Sequence, residues 1–169
     1  MATITHAPVR AYIGLGSNLA DPIAQVRRAL QELAGLPDTR CLSQSGLYRS
    51  QPLGPANQPD YINAVAVMET RLGPRDLLTH LQALEAAHGR VRGAQRWGPR
   101  TLDLDLLIYD ELCMNEPSLT LPHPGIPERS FVLYPLLEVA PGLRLPRGEA
   151  VADLARRCSA AGLVRLDEA

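Results

Sequence analysis

The sequence contains no lysine, so all 17 of its Lys and Arg positions are arginine. P-loop nucleotidases and protein kinases use a lysine to hold phosphate, and Schiff-base or pyridoxal chemistry needs a lysine amine. These classes of enzyme are therefore excluded. Any phosphate binding by this chain has to use arginine, backbone amides or a metal ion.

Cysteine and long apolar runs are also scarce. The three cysteines, Cys41, Cys113 and Cys158, are far apart and odd in number. This argues against a disulfide framework and favours a reducing compartment. No stretch approaches the roughly 20 apolar residues of a membrane helix, and residues 1–10 lack the apolar core of a signal peptide. We therefore expect a cytoplasmic protein that does not bind membranes.

Aromatic residues and net charge are low as well. Phenylalanine and tryptophan occur once each, and the net charge is −1. RNA-recognition domains stack bases on aromatic side chains and carry a basic surface, so we expect no nucleic-acid partner. The length of 169 residues predicts a single domain, 1–169, and is too short for a two-domain Rossmann enzyme or an eight-stranded α/β barrel.

Hydrophobic periodicity predicts alternating strands and helices. Expected strands lie at 9–15, 39–49, 61–70 and 101–109, and expected helices start at Asp21-Pro22 and Gly73-Pro74. Gly14 and Gly16 lack the third glycine of a dinucleotide fingerprint, so we expect Gly16 to end the first strand in a turn. Residues 115–130 are expected to be mostly irregular, followed by a short helix at 131–139 and a last helix from Ala150.

The predicted order β-α-β-β-α-β is typical of a ferredoxin-like fold. It implies an α+β protein with an antiparallel sheet and helices on one face. The other face is then left for ligand, loops and the C-terminal additions. The scaffold by itself does not indicate an activity.

The strand at 101–109 carries two aspartates in the pattern Asp-x-Asp. Alternation predicts Asp103 and Asp105 on one face, with Cα atoms roughly 7 Å apart. Leucines 102, 104 and 106 and Ile108 are expected on the other face, in the core. Adjacent carboxylates repel each other, so a cation, arginines or water must compensate. Mg²⁺ suits such a pair because it binds one or two carboxylates together with substrate phosphates.

The segment before this strand is rich in arginine and glycine. Between Gly89 and Arg100 it contains four arginines and three glycines. Glycines predict a mobile loop, and guanidinium groups bind phosphate oxygens in pairs. An arginine loop beside two carboxylates favours phosphoryl or pyrophosphoryl transfer. A solvated strand and a solvated basic loop remain the alternatives, and Asp-x-Asp also occurs in metal-dependent sugar transferases.

At the level of whole motifs, the sequence Arg-Trp-Gly-Pro-Arg-Thr-Leu-Asp-Leu-Asp-Leu-Leu at 96–107 resembles the signature of the 6-hydroxymethyl-7,8-dihydropterin pyrophosphokinases of folate synthesis. The resemblance covers nearly the whole chain, since further blocks match in the same order at 12–19, 48–50, 52–55, 58–63, 121–123 and 129–131. It implies a compact ferredoxin-like enzyme that uses ATP and two Mg²⁺ ions and acts as a monomer on two small-molecule substrates.

The resemblance also implies a role for individual residues. Arg90, Arg100, Asp103 and Asp105 match the catalytic set, and the two aspartates match the metal ligands. The pterin would be bound by Ser50, Leu53, Tyr61, Asn63, Trp97 and Phe131. ATP would be bound by Gln82, Glu85, Arg92, Trp97, Arg100, His123 and Arg129.

The reaction implied is attack of the pterin hydroxyl on the β-phosphorus of ATP, with AMP as the leaving group. Two other functions are weighed against it. A nucleotide-sugar transferase with an Asp-x-Asp motif normally needs a longer chain with a Rossmann-like half. A non-catalytic ferredoxin-like binding module, for example for RNA, is disfavoured by the composition. Formation of AMP from ATP only when the pterin is present separates the three.

Overall fold

The computed structural model describes residues 5–51, 59–89 and 101–166. Its elements are β1 (Thr5–Ser17), α1 (Pro22–Ala34), β2 (Thr39–Gln44), β3 (Tyr48–Ser50), β4 (Tyr61–Leu72), α2 (Pro74–Ala87), β5 (Asp103–Tyr109), β6 (Met114–Glu116), β7 (Leu119–Leu121), a 3-10 turn (Ile126–Glu128), α3 (Ser130–Val139), α4 (Val151–Arg157) and β8 (Val164–Arg165). Within these ranges no helix is both long and apolar enough to cross a bilayer.

The main sheet is antiparallel. Its order is β5-β1-β4-β3-β8, with β2 also paired to β4. If β2 and β3 are taken as two parts of one broken strand, this is the sheet of a β-α-β-β-α-β ferredoxin-like fold. The predicted α+β class is therefore confirmed.

Apolar side chains pack on both faces of the sheet. On one face α1 and α2 cover a core that includes Ile13, Met68 and Leu104. On the other face α3 and α4 cover a second core that includes Val67 and Leu107. The C-terminal additions thus lie on the face that the sequence left open for them, but they cover only part of it.

A β-bulge changes the alternation of β5. Tyr12 pairs with Ile108 whereas Ile13 pairs with Leu106, so Leu107 is the extra residue. Before the bulge, Leu104 and Leu106 lie in the α1/α2 core, whereas Ile108 lies in the α3/α4 core. The expectation that Ile108 shares a face with the leucines is wrong, because the extra residue shifts the pairing by one and sends the Ile108 side chain to the opposite face of the sheet.

The start of α1 follows its sequence signal. Pro22 begins the helix, and the carboxylate of Asp21 accepts a hydrogen bond from the Ala24 amide at 3.5 Å. Three other expectations are corrected. Gly16 does not end β1, which continues to Ser17. The strand expected at 39–49 is interrupted at 45–47, and most of the β6–β7 hairpin lies within 115–130.

Candidate active site

The register of the sheet brings side chains of four strands to one region. Gly16 of β1 lies opposite Asn63 of β4 on one side and Asp103 of β5 on the other. On the far side of β4, Ser50 of β3 lies opposite Tyr61. Since directly paired residues of an antiparallel sheet point to the same face, these side chains share the face that carries α3 and α4.

Two glycines of β1, Gly14 and Gly16, place no side chain on the sheet face in this region. A Cβ at Gly16 would lie 3.4 Å from Asn63 Oδ1 and 3.7 Å from Tyr61 Cδ1, and one at Gly14 would lie 3.3 Å from Leu107 Cδ1. Sequence reasoning missed this role. The available signal was two glycines at strand spacing inside an apolar run, which marks a place where something approaches the backbone closely.

The amide of Asn63 is buried and held in one orientation. Asn63 is 4% exposed, and its Nδ2 donates a hydrogen bond of 2.6 Å to the Ser50 hydroxyl, with the Tyr48 carbonyl at 3.5 Å. Ser50 is itself buried. Nδ2 is therefore used within the protein, whereas Oδ1 faces Gly16 and the backbone that this glycine leaves uncovered.

Asp103 and Asp105 lie half-buried on this same face, as predicted. The Arg129 guanidinium comes to 3.8 Å from the Asp105 carboxylate, so the acidic pair already has one cation beside it. Between the two aspartates, the Leu104 amide donates to Glu85 Oε2 at 2.8 Å. β5 is an edge strand, and Glu85 therefore fixes the backbone that spaces the two carboxylates.

Three predicted residues meet where the chain enters α3. The Arg129 guanidinium lies 5.9 Å from the centre of the Phe131 ring. His123 Nδ1 accepts a hydrogen bond from the Gly125 amide at 2.9 Å, which places the ring proton of neutral His123 on Nε2. Burial, reinforced by the Arg129 charge and opposed by Asp103, lowers the pKa of His123 to about 4. The ring is therefore neutral near pH 7.

The remaining predicted residues fall into two groups. Gln82 and Glu85 lie on α2, which packs on the opposite face of the sheet and reaches the aspartates only around the edge of β5. Five further candidates, and with them the predicted mobile arginine loop, lie outside the described residues: Leu53, Arg90, Arg92, Trp97 and Arg100.

Comparison with known proteins assigns a family to this arrangement. Residues 12–141 match the family model described as 7,8-dihydro-6-hydroxymethylpterin-pyrophosphokinase. The chain belongs to this family. The match runs from β1 to the end of α3 and thus includes every described candidate residue of the site.

Curated members of the pyrophosphokinase family are similar over nearly their whole length. A 2-amino-4-hydroxy-6-hydroxymethyldihydropteridine pyrophosphokinase of Pseudomonas aeruginosa is 50% identical over 157 residues, 93% of this chain and 96% of its own. One of Haemophilus influenzae is 45% identical over 160 residues, 94% and 99% of the two chains.

Solved structures share the fold. Wild-type HPPK-DHPS of Plasmodium falciparum with pteroate superimposes with a TM-score of 0.72 at 11% identity. The match covers 93% of this chain and 43% of that one, so this chain spans less than half of that protein. At such low identity the comparison shows the architecture alone, which is that of the pyrophosphokinase family.

Proposed function

We propose that the face formed by β3, β4, β1 and β5 is where this chain transfers the pyrophosphoryl group of ATP to 6-hydroxymethyl-7,8-dihydropterin in folate synthesis. The observation that carries the proposal is the position of Gly16, paired on one side with Asn63 and on the other with Asp103. A pterin held at Asn63 would have its hydroxymethyl group beside a phosphate chain held at the aspartates. The products are the pterin diphosphate and AMP.

The Asn63 end of the face suits a pterin. A pterin has N–H donors along one edge, and the Asn63 carbonyl oxygen is an acceptor whose orientation is fixed by the bond from Nδ2 to Ser50. Tyr61 is half-buried beside it, and Phe131 lies half-buried at the start of α3. Stacking of a flat heterocycle between these rings would supply affinity, and the amide would supply selectivity.

The aspartate end suits Mg²⁺. Asp103 and Asp105 offer hard carboxylate oxygens on one face, which is the donor type that Mg²⁺ prefers. In the described part of the chain no group of three or more acidic, histidine or cysteine side chains is placed to hold a metal. Water and substrate phosphates would therefore complete the coordination. We propose that Asp103 and Asp105 would hold two Mg²⁺ ions, which would supply neutralisation of the phosphate charge.

Arginine and histidine supply the other contacts to the phosphates. Arg129 lies beside Asp105, and His123 presents a neutral ring whose Nε2–H is a donor. Arg90 and Arg100 are proposed to neutralise the charge that develops as the bond to AMP breaks. Gln82, Glu85 and Arg92 are proposed to act near the nucleotide. We further propose that the enzyme works as a monomer in the cytoplasm.

Turnover with defined substrates tests this function. Purified protein is incubated with ATP and Mg²⁺, with and without 6-hydroxymethyl-7,8-dihydropterin, and AMP and pterin diphosphate are measured by chromatography. We expect both products only when all three components are present. Turnover of a nucleotide sugar instead would favour the Asp-x-Asp transferase, and binding without any turnover would favour the non-catalytic module.

A further inference from the structure

A cluster of polar groups surrounds Glu138 in the last turn of α3, away from the aspartates. Its carboxylate accepts hydrogen bonds from the Gly46 amide at 3.0 Å and from the Tyr48 hydroxyl at 2.7 Å. Arg165 of β8 adds two more, from Nε to Oε1 and from Nη2 to Oε2, both 3.1 Å. One carboxylate thus joins α3, the segment before β3, β3 itself and the C-terminal strand.

The charges in this cluster are fixed over the working pH range. Hydrogen bonding by Arg165, with smaller contributions from Tyr48 and Gly46, lowers the pKa of Glu138 to about 2 against the opposing effect of burial. Burial, together with the neighbouring Glu138 charge, raises the pKa of Tyr48 to about 12. The carboxylate is therefore ionised, and the tyrosine keeps the proton that it donates.

The sequence around Gly46 is suited to this contact. A Cβ at Gly46 would lie 2.7 Å from Nη2 and 2.9 Å from Cζ of Arg165, so the guanidinium lies directly on bare backbone. β8 pairs with β3 through Arg165 opposite Tyr48, and the Leu166 amide donates to the Leu47 carbonyl at 2.8 Å. The C-terminal strand therefore covers the outer edge of β3.

β3 is the strand that orients Asn63. It is only three residues long, and Tyr48 lies opposite Asn63 while Ser50 lies opposite Tyr61. Asn63 Nδ2 donates to the Ser50 hydroxyl and to the Tyr48 carbonyl, and both acceptors belong to β3. So short a strand has little pairing energy of its own, and contacts outside the sheet must hold it in place.

We propose that Glu138 and Arg165 are positioning residues of the pterin site. Through Gly46 and Tyr48 their ion pair holds β3 where Ser50 fixes the amide of Asn63. The C-terminal strand thereby contributes to pterin recognition without contacting the pterin. This inference rests on the proposed function, because it takes the Asn63 region as the site that binds the pterin.

Binding measured separately for the two substrates tests the inference. Titration calorimetry with 6-hydroxymethyl-7,8-dihydropterin, in the presence of Mg²⁺ and α,β-methylene-ATP, gives the Kd of the pterin. For Arg165→Ala and Glu138→Ala we expect this Kd and the pterin KM to rise about tenfold, because β3 must then be ordered on binding. The Kd of α,β-methylene-ATP, measured alone, is expected to stay unchanged.

Conservative variants and a matched control separate positioning from general destabilisation. Glu138→Gln keeps an oxygen for Gly46 and Tyr48, so its pterin affinity should lie between those of Glu138→Ala and the wild type. If an alanine variant does not fold, Glu138→Gln and Arg165→Lys, measured well below their Tm, decide the question in its place. Arg144→Ala, which removes an exposed arginine that contacts the Gly148 carbonyl, should bind pterin normally.

The outcomes distinguish a failure of the positioning role from a failure of the proposed function. Folded Arg165 and Glu138 variants that bind the pterin as tightly as the wild type would overturn the inference and leave the function standing. Equal losses for pterin and ATP analogue would also overturn it, since they indicate a general structural role. A wild-type protein that binds no pterin would refute the proposed function itself.

Discussion

At the scale of single residues, the site depends as much on missing atoms as on functional groups. Gly16 gives Asn63 and Tyr61 room on the face of the sheet, and Gly14 does the same for Leu107. A glycine inside a strand weakens that strand, because it adds conformational entropy to the unfolded chain and packs no side chain. The loss of strand stability at Gly14 and Gly16 fits a surface where a ligand approaches the backbone closely.

Substitution of Gly16 by alanine tests this interpretation. We expect Gly16→Ala to weaken pterin binding by about 1 to 3 kcal/mol, since the new methyl group would contact Asn63 and Tyr61 at ordinary van der Waals distance and occupy space that the ligand needs. Binding of an ATP analogue should change little. Gly73→Ala is the matched control, because a Cβ at Gly73 meets nothing within 4 Å. Normal pterin affinity in Gly16→Ala, measured by calorimetry, would show that pterin binding does not need uncovered backbone at Gly16.

The two aspartates give a second prediction at this scale. Asp103→Asn or Asp105→Asn should lower kcat by about 10³-fold or more, since each removes an anionic ligand of Mg²⁺. The fold should be retained, because both side chains are half-exposed and the change relieves repulsion between them. AMP formation at saturating Mg²⁺ and circular dichroism measure the two effects.

Asp110, the exposed residue that follows β5, provides the control for this pair. It has a φ of 50°, a left-handed conformation that asparagine also tolerates, so Asp110→Asn should keep both fold and activity. Near-normal turnover of either Asp103→Asn or Asp105→Asn would refute the assignment of the metal site.

At the scale of elements, the C-terminal end of α2 is held on two sides by buried polar side chains, Glu85 in the helix and His88 directly after it. Glu85, 6% exposed, accepts from the Leu104 amide of β5. His88, 5% exposed, places Nε2 at 2.6 Å from Glu32 Oε1 and Nδ1 at 2.5 Å from Gln25 Oε1, both on α1. Sequence periodicity predicted the helix, but not that its end joins α1 to the strand of the aspartates.

Removal of the Glu85 carboxylate should cost stability as well as activity. Glu85→Ala leaves the buried Leu104 amide without this acceptor, so we expect the free energy of unfolding to fall by about 1 to 3 kcal/mol. Glu85→Gln retains an oxygen and should lose less. Urea denaturation measures the difference, and equal stability of Glu85→Ala and the wild type would show that the contact contributes nothing.

At the scale of the whole molecule, stability should fall in acid through two separate groups. Folding lowers the pKa of His123 from 6.5 to about 4, so the unfolded chain binds this proton first and stability decreases from pH 6.5 to 4. Folding lowers the pKa of Glu138 from 4.5 to about 2, so its contribution is complete above pH 4.5 and is lost as the pH falls toward 2.

Variants of His123 and Glu138 show which residue causes each of the two losses of stability in acid. Tm measured from pH 8 to 3 should flatten between pH 6.5 and 4 in His123→Gln and below pH 4.5 in Glu138→Gln. Each variant should keep the step of the other group, because the two residues titrate independently. If both curves follow the wild type throughout, these groups do not control the acid sensitivity of the fold.

The sequence by itself determined the fold class, the start of α1, the pair of aspartates on one face and the family. These follow from local chemistry: side-chain periodicity, a cap followed by proline, and a motif contained in twelve consecutive residues. It did not determine the break between β2 and β3, the bulge at Leu107 or the short strand β8, because each depends on pairing partners distant in the chain.

Only the tertiary structure decided how the site is supported. Asn63 meets Ser50 across 13 positions of sequence, Glu85 meets Leu104 across 19, and Glu138 meets Tyr48 across 90. No local pattern encodes such contacts, since the sequence around a helical carboxylate is the same whether the side chain faces water or a distant strand. Their energy arises only when sheet register and helix packing bring the partners together, and it is greatest where burial removes both from water, as at Asn63 and Glu85.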